Sequence, residues 1–422
     1  MHEEVRDSQE RAFLVALELP DQKSQGWKAG ESLDELERLV DTAGGLVVGR
    51  EIQGRQRPES ATYIGSGKAE ELARLYSAEL FDMVIFDAEL SPIQQRNLET
   101  ELGCPVLDRT TVILDIFAQR ARSREAKLQV ELAQLQYRLP RLTGTGTSLS
   151  RLGGGIGTRG PGETKLEVDR RRIRDRVAAL KQDLAEIQAH RERLRRDRSK
   201  SPAPVVALTG YTNAGKSTLH RTLSGSDVLA EDRLFATLDA TTRRVEPADA
   251  EPYLLVDTVG FIHNLPTFLV AAFRSTLSEV KEADLLLHVI DSAHPKRAEQ
   301  MATVDQVLLE LKANDVPSLL VFNKAELLDP LEREAIARRP DAVCISALTG
   351  EGLTELQARV QSMLANRREV LELVVPYAKG GWVAWAHERG RIIAEEHREE
   401  GTYLKVELER GLAGQLQKAV LG

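Results

Sequence analysis

Residues Gly210-Tyr211-Thr212-Asn213-Ala214-Gly215-Lys216-Ser217 fit the pattern G-x-x-x-x-G-K-S, with Thr218 next in the chain. The apolar run VVALT precedes them and a helical pattern follows, the strand–loop–helix setting that this pattern needs in order to hold phosphate. Its glycines let the backbone curl so that N–H groups converge on an anion at a helix N-terminus. Lys216 is then expected to reach the β- and γ-phosphates, and the Ser217 hydroxyl to ligate Mg²⁺. Further on, Asp257-Thr258-Val259-Gly260 closes the strand-like run YLLVD. In this D-x-x-G stretch, Asp257 would back the magnesium through water and the Gly260 amide would sense the γ-phosphate.

Between the two lies Phe235-Ala236-Thr237-Leu238-Asp239, followed by Ala240, Thr241 and Thr242. A threonine of this segment should complete the magnesium site. Thr237 is the expected ligand and Thr241 and Thr242 are its rivals, while a plain strand role for Thr237 stays open. Asn323-Lys324-Ala325-Glu326 closes the run SLLVF, where an N-K-x-D motif would read guanine through its aspartate. Glu326 keeps the carboxylate and adds a methylene, so guanine is expected and adenine is left open. Ser346-Ala347-Leu348 fits the stretch whose backbone amides support the guanine O6. The expected catalytic set is Lys216, Thr237 and Gly260. Phe261 stands where a water-orienting glutamine is common, and an apolar ring cannot orient water. Hydrolysis should therefore be slow alone and need a partner or another internal group; the ring can equally well pack beneath the loop.

The elements that position these residues follow from the hydrophobic pattern. From 205 the runs VVALTG, YLLVD, LLLHVID, SLLVFN and AVCIS alternate with helical stretches, which predicts a doubly wound α/β domain over 203–366. Upstream, AFLVALEL, GLVVGREI and FDMVIFDAEL alternate with helical patterns and predict a small α/β domain with a mostly parallel sheet over 1–119. A helix is predicted over roughly 111–142, with Leu128, Leu132, Leu135, Leu139 and Leu142 at heptad spacing. A second, over roughly 166–197, carries Ile173, Val177, Leu180, Leu184 and Ile187. Together they form an antiparallel hairpin spanning 120–200. The tail, 367–422, has strand-like pieces (VLELVV, GWVAWA, TYLKVEL) and reads as a small α+β appendage.

The chain of 422 residues has a net charge of −8 and is 42% hydrophobic. Residues 119–200 nevertheless hold 21 lysines and arginines against 10 acidic residues, an excess of +11, which leaves −19 elsewhere. A basic segment on an acidic chain points to an anionic partner at that segment, or to a solvated helix pair. Cys104 and Cys344 are too few for a disulfide framework or a zinc site, which suits a reducing compartment. No apolar run reaches the length of about 20 residues that a membrane span requires, so a cytoplasmic protein, or one peripheral at the membrane, is expected.

GYTNAGKST, FATLDATTRR and DTVGFI resemble the HflX family of ribosome-associated GTPases. So does the run Gly153-Gly154-Gly155-Ile156-Gly157-Thr158-Arg159-Gly160-Pro161-Gly162-Glu163-Thr164-Lys165-Leu166-Glu167, as do YIGSGKAEEL and VLDRTTVILDIFAQRA. The resemblance spans nearly the whole chain. It implies a Mg²⁺-dependent GTPase, cycling between GTP and GDP, that binds the large ribosomal subunit and its rRNA, some members splitting stalled or idle 70S ribosomes under stress. It also implies a hydrophobic residue at the glutamine position and hydrolysis stimulated by the ribosome. Glu326 departs from the family's N-K-x-D pattern.

The glycine-rich run falls at the tip of the basic hairpin, where small residues permit close approach to a phosphate backbone. Arg151, Arg159, Lys165, Arg170, Arg171 and Arg172 are its candidate RNA contacts. Tyr137 is the only aromatic on the hairpin, so recognition by shape and phosphate is favoured over base stacking. A second nucleotide site at this run, or at GSGK (65–68), is the competing reading. Two further functions stay open: a nucleotide-sensing binding protein in which hydrolysis is incidental, and an ATP-using RNA-remodelling factor. A monomer is expected.

Overall fold

The computed structural model describes residues 9–20, 26–142, 165–198, 203–225, 234–247, 250–365 and 368–421. Its first part is a four-stranded sheet of order β2-β1-β3-β4, built from β1 (Arg11–Glu18), β2 (Leu46–Gly54), β3 (Met83–Phe86) and β4 (Val106–Asp108). All three strand pairings are parallel, as the alternation of strands and helices requires. The connecting helices are α1 (Ala29–Ala43), α2 (Ser66–Ser77) and α3 (Pro92–Leu102). Local signals set their ends: α1 stops at Gly44 with φ +98°, and Ser91 and Gln94 form a capping box at the start of α3.

The predicted helix over 111–142 is two helices, α4 (Arg109–Arg120) and α5 (Arg124–Arg141). Asp108 caps the first by accepting from Thr111 N at 2.9 Å. Ala121 then turns extended (φ −64°, ψ 109°), and Ser123 restarts the chain as a new N-cap, accepting from Ala126 N at 3.0 Å. The apolar pattern runs through the break because both helices bury a face, but α4 packs in the first domain while α5 belongs to the hairpin. The second hairpin helix, α6 (Lys165–Arg198), lies against α5. Leu180 is its fully buried contact, and Ile173, Val177, Leu184 and Ile187 are half-buried along the same stripe. Arg151, Arg159 and the glycine-rich run lie outside the described residues.

The third part is a six-stranded sheet of order β10-β9-β8-β5-β7-β6. Its strands are β5 (Val205–Gly210), β6 (Thr241–Val245), β7 (Tyr253–Asp257), β8 (Leu285–Asp291), β9 (Ser318–Asn323) and β10 (Ala342–Cys344). All neighbours are parallel except the edge pair β6–β7, which is antiparallel. The edge strand β6 holds Thr241 and Thr242. Helices α7 (Lys216–Ser224), α8 (Thr267–Ala272), α9 (Arg274–Lys281), α10 (Arg297–Glu310), α11 (Pro330–Ala337) and α12 (Leu353–Ala365) complete this domain.

The tail is an antiparallel sheet β11-β13-β12 (Arg368–Val375, Gly401–Glu409 and Arg391–Arg398) with α13 (Gly381–Arg389) and α14 (Arg410–Leu421). GWVAWA, read as a strand, is the start of α13. Trp382, Val383, Trp385 and Ala386 recur at helical spacing and pack on the tail's core, and a six-residue apolar run does not separate that pattern from a strand. The third strand, RIIAEEHR, is mostly polar and exposed, so it carries no such signal.

One apolar core runs from the first domain into the nucleotide domain. Leu33, Leu36 and Phe117 of the first join Phe235, Phe261, Leu269 and Phe273 of the second in a single buried cluster. Phe117 on α4 meets both Phe235 and Phe273 edge-on, at 4.8 Å each. The two domains therefore do not have separate hydrophobic interiors on this side.

Candidate nucleotide and magnesium site

The loop between β5 and α7 wraps a single cleft whose walls include Asn213, Lys216, Ser217, Thr237 and Gly260. Glycine is required at three places: a Cβ on Gly210 (φ +146°) would fall 2.2 Å from the Val289 carbonyl oxygen. A Cβ on Gly215 (φ +92°) would fall 2.1 Å from Asn323 Nδ2, and one on Gly260 would lie 2.8 Å from Lys216 Nζ. Thr212, Thr218, Phe235, Ala236 and Thr258 contribute to the same walls. The Lys216 ammonium is buried and donates to the carbonyls of Gly210 (3.1 Å) and Tyr211 (2.7 Å). Burial pushes it down to about 8, against the pull of Asp257.

Thr237 is the threonine that reaches the cleft. Its hydroxyl lies 2.7 Å from Ser217 Oγ and donates to Asp257 Oδ2 at 2.8 Å. Thr241 and Thr242 are exposed on β6 and belong to the sheet edge. The second Asp257 oxygen, Oδ1, is buried without a hydrogen-bond partner among the described residues. Two hydroxyls and a carboxylate with an unsatisfied oxygen are hard oxygen ligands of the kind Mg²⁺ takes, so the residues present fit that ion.

At the far end of the cleft, Asn323 joins three loops. Its Nδ2 donates to Ala214 O at 2.9 Å and its Oδ1 accepts from Ala347 N at 2.9 Å. Lys324 (φ +65°) pairs with Asp291 at 2.6 Å. Glu326 follows on a 3₁₀ turn, with Oε2 buried and without a partner among the described residues. Of the three amides expected to support O6, Ser346 N donates to Glu351 O and Ala347 N to Asn323. Leu348 is 73% exposed.

Several expected contacts go elsewhere. Tyr211 turns its ring out of the cleft: its hydroxyl donates to Glu35 Oε1 on α1 at 2.5 Å and accepts from His263 N at 2.7 Å. Glu35 pairs with the buried Arg109, which also holds Asp87 at 2.8 Å. Burial works against the Arg109 charge, but Glu35 and Asp87 hold the guanidinium protonated. Trp27 stacks on His263 at 4.4 Å. Leu238 and Val259 are core residues, and Thr258 Oγ1 donates to Leu208 O at 2.6 Å. Asp239 faces the hairpin, accepting from Arg122 N (2.9 Å), Ser123 N (3.1 Å) and Ser123 Oγ. Phe261 is 1% exposed, and its backbone bridges the phosphate loop through Gly210 O and Thr212 N. It packs beneath the loop and cannot touch water. Arg38 of α1 lines a second cavity together with Asn213 and Lys324.

The basic residues divide by use. Arg170 donates to Leu142 O at 2.8 Å, and Arg176 makes a two-pronged pair with Glu131 at 2.7 and 2.8 Å, so both fasten the hairpin together. Arg172 stays 76% exposed beside Asp169, and Arg171 is exposed on the same turn. Lys165 opens α6.

Four family models match in order. They are described as GTP-binding GTPase N-terminal (30–118), GTP-binding GTPase middle region (120–198), 50S ribosome-binding GTPase (205–324) and HflX C-terminal domain (332–420). A GTPase HflX of Lacrimispora saccharolytica is 47% identical over 402 residues, covering 95% of this chain and 94% of that protein. The chain belongs to the HflX family. An HflX GTPase of Escherichia coli is 43% identical over 399 residues, covering 94% of this chain and 92% of its own length. The fold is also similar to a GTP-binding protein of Sulfolobus solfataricus in complex with GDP (TM-score 0.43, 25% identity, 84% of this chain and 99% of that one). The C-terminal appendage, to which the motifs assigned nothing, thus lies within an HflX domain. Among the described residues no helix is long and apolar enough to cross a membrane.

Proposed function

We propose that this HflX-family GTPase is a magnesium-dependent switch that docks its basic hairpin on the rRNA of the large ribosomal subunit and dissociates stalled or idle 70S ribosomes. The reading rests chiefly on one observation, the meeting of Ser217, Thr237 and Asp257 around an unsatisfied carboxylate oxygen. Ser217 and Thr237 would hold Mg²⁺ directly and Asp257 through water. The ion, when bound, neutralises charge on the β- and γ-phosphates.

The protein's own part is positional. The loop amides and Lys216, which exchanges its two carbonyl partners for phosphate oxygens, grip the nucleotide. Gly260 brings its backbone to the γ-phosphate without a side chain in the way. Water attacks the γ-phosphorus, the bond to the β-phosphate oxygen breaks, and the water's proton leaves with inorganic phosphate. Because Phe261 is buried, no side chain at that position orients the water, so turnover is slow until the ribosome contributes. Glu326 favours guanine, and no observation here favours adenine. The protein acts as a cytoplasmic monomer.

Hydrolysis should rise at least tenfold on adding large subunits. With a non-hydrolysable GTP analogue the protein should co-sediment with them, and Arg159→Ala with Lys165→Ala should weaken that binding. An unstimulated rate, or sedimentation indifferent to both substitutions, would refute the proposal.

A further inference from the structure

We propose that Asp239 is a positioning residue that makes the start of the hairpin part of the hydrolytic site. The inference rests on the reading of Thr237 as a magnesium ligand and extends it to a partner in another domain. A single residue, Leu238, separates Thr237, whose hydroxyl lies between Ser217 and Asp257, from Asp239, whose carboxylate takes two backbone N–H groups and a hydroxyl at residues 122 and 123.

Those groups sit immediately before the first turn of α5 (Arg124–Arg141). Ser123 is its N-cap, and its amide and that of Arg122 point out of the helix start, where no intrahelical acceptor exists. A carboxylate there is favoured by the helix dipole and by hydrogen bonds to a charged acceptor. Leu238, between the two ends, is 2% exposed, and Phe235 is held edge-on by Phe117. The segment 235–239 is therefore fastened at the cleft by Thr237 and at the hairpin by Asp239, with no exposed slack between them.

Two residues of chain span at most about 7 Å. A displacement of α5 larger than a side-chain adjustment must pull on Thr237, and release of Thr237 must loosen the cap on α5. Coupling of this kind is reciprocal: whatever the nucleotide does to the hairpin, a partner seated on the hairpin does to the nucleotide site. The GDP state, which needs the phosphate loop but not Thr237, should be indifferent to the link.

The full-length protein can be tested with Asp239→Ala, Asp239→Asn and Ser123→Ala, with Thr237→Ala as reference. Asp239→Ala should lower kcat for GTP at least tenfold while GDP affinity stays within twofold. In the wild type, amides 122–126 should exchange hydrogen more slowly with a GTP analogue than with GDP, and Asp239→Ala should abolish that difference. Asp239→Asn should fall between, and adding Ser123→Ala to Asp239→Ala should cost no more than Asp239→Ala alone. If Thr237→Ala hydrolyses GTP normally, the magnesium reading itself fails. If Thr237→Ala is inactive while Asp239→Ala keeps wild-type kcat and nucleotide-dependent exchange, the coupling is overturned. GDP affinity falling in step with kcat also overturns it, since that marks a damaged nucleotide domain.

Discussion

His288 on β8 is 3% exposed, and burial, helped by the Lys216 charge, pushes its imidazole down to about 4. His263, stacked under Trp27, is pushed to about 4 by burial and then by Arg109. An unfolded chain protonates both near 6.5, so between pH 6.5 and 4 it binds protons that the folded chain refuses. Stability is therefore fully present above 6.5 and is lost as pH falls toward 4, at about 1.4 kcal/mol per unit for each group. His288→Gln should leave stability at pH 7 within ~1–2 kcal/mol of wild type and make the acid slope shallower by about one proton. Urea unfolding at several pH values between 4.5 and 7 measures both. At this scale Lys216, Ser217 and Asp257 could be singled out from the motifs, because phosphate and magnesium demand fixed residue types at fixed spacing. The opposite orientation of Tyr211 could not be, since its partner Glu35 lies 176 residues away.

Tyr211 shows how elements are joined. One phenol ties the phosphate loop, the chain after Gly260 and helix α1, within a buried set completed by Arg109 and Asp87. Tyr211→Phe keeps the ring and strands a carboxylate oxygen and the His263 amide. The cost of leaving such groups unpaired is about 1–3 kcal/mol. Hydrogen exchange at His263 should accelerate at least tenfold, while amides in the core strand β5 should change little. Unchanged exchange at His263 would show that the amide finds another acceptor. The elements themselves were mostly readable from periodicity, and the errors have local causes. The break at Ala121–Ser123 hides under a continuous apolar pattern, GWVAWA is too short for its period to decide, and polar β12 has no pattern at all.

For the molecule as a whole, the +11 segment, which includes both hairpin helices, stands against an acidic remainder. Each exposed guanidinium that meets RNA phosphate releases counterions, so Arg171→Ala with Arg172→Ala should lower the slope of log affinity against log salt by about 2 for large-subunit binding. Affinity measured from 50 to 200 mM salt checks this, and an unchanged slope would place both arginines away from RNA. Arg176→Ala should leave the slope alone, because that guanidinium is spent on Glu131.

By itself the sequence determined the nucleotide chemistry, the order of the parts and the basic hairpin, since each is written in contiguous residues. Only the tertiary structure decided which threonine enters the cleft, that Phe261 is buried, and that the first domain shares its core with the nucleotide domain. It alone revealed that Asp239 is hydrogen-bonded to the start of the hairpin. The physical reason is common to all four. A side chain's direction is settled by what is packed against it, and here the packing partners come from segments that one-dimensional spacing cannot bring together.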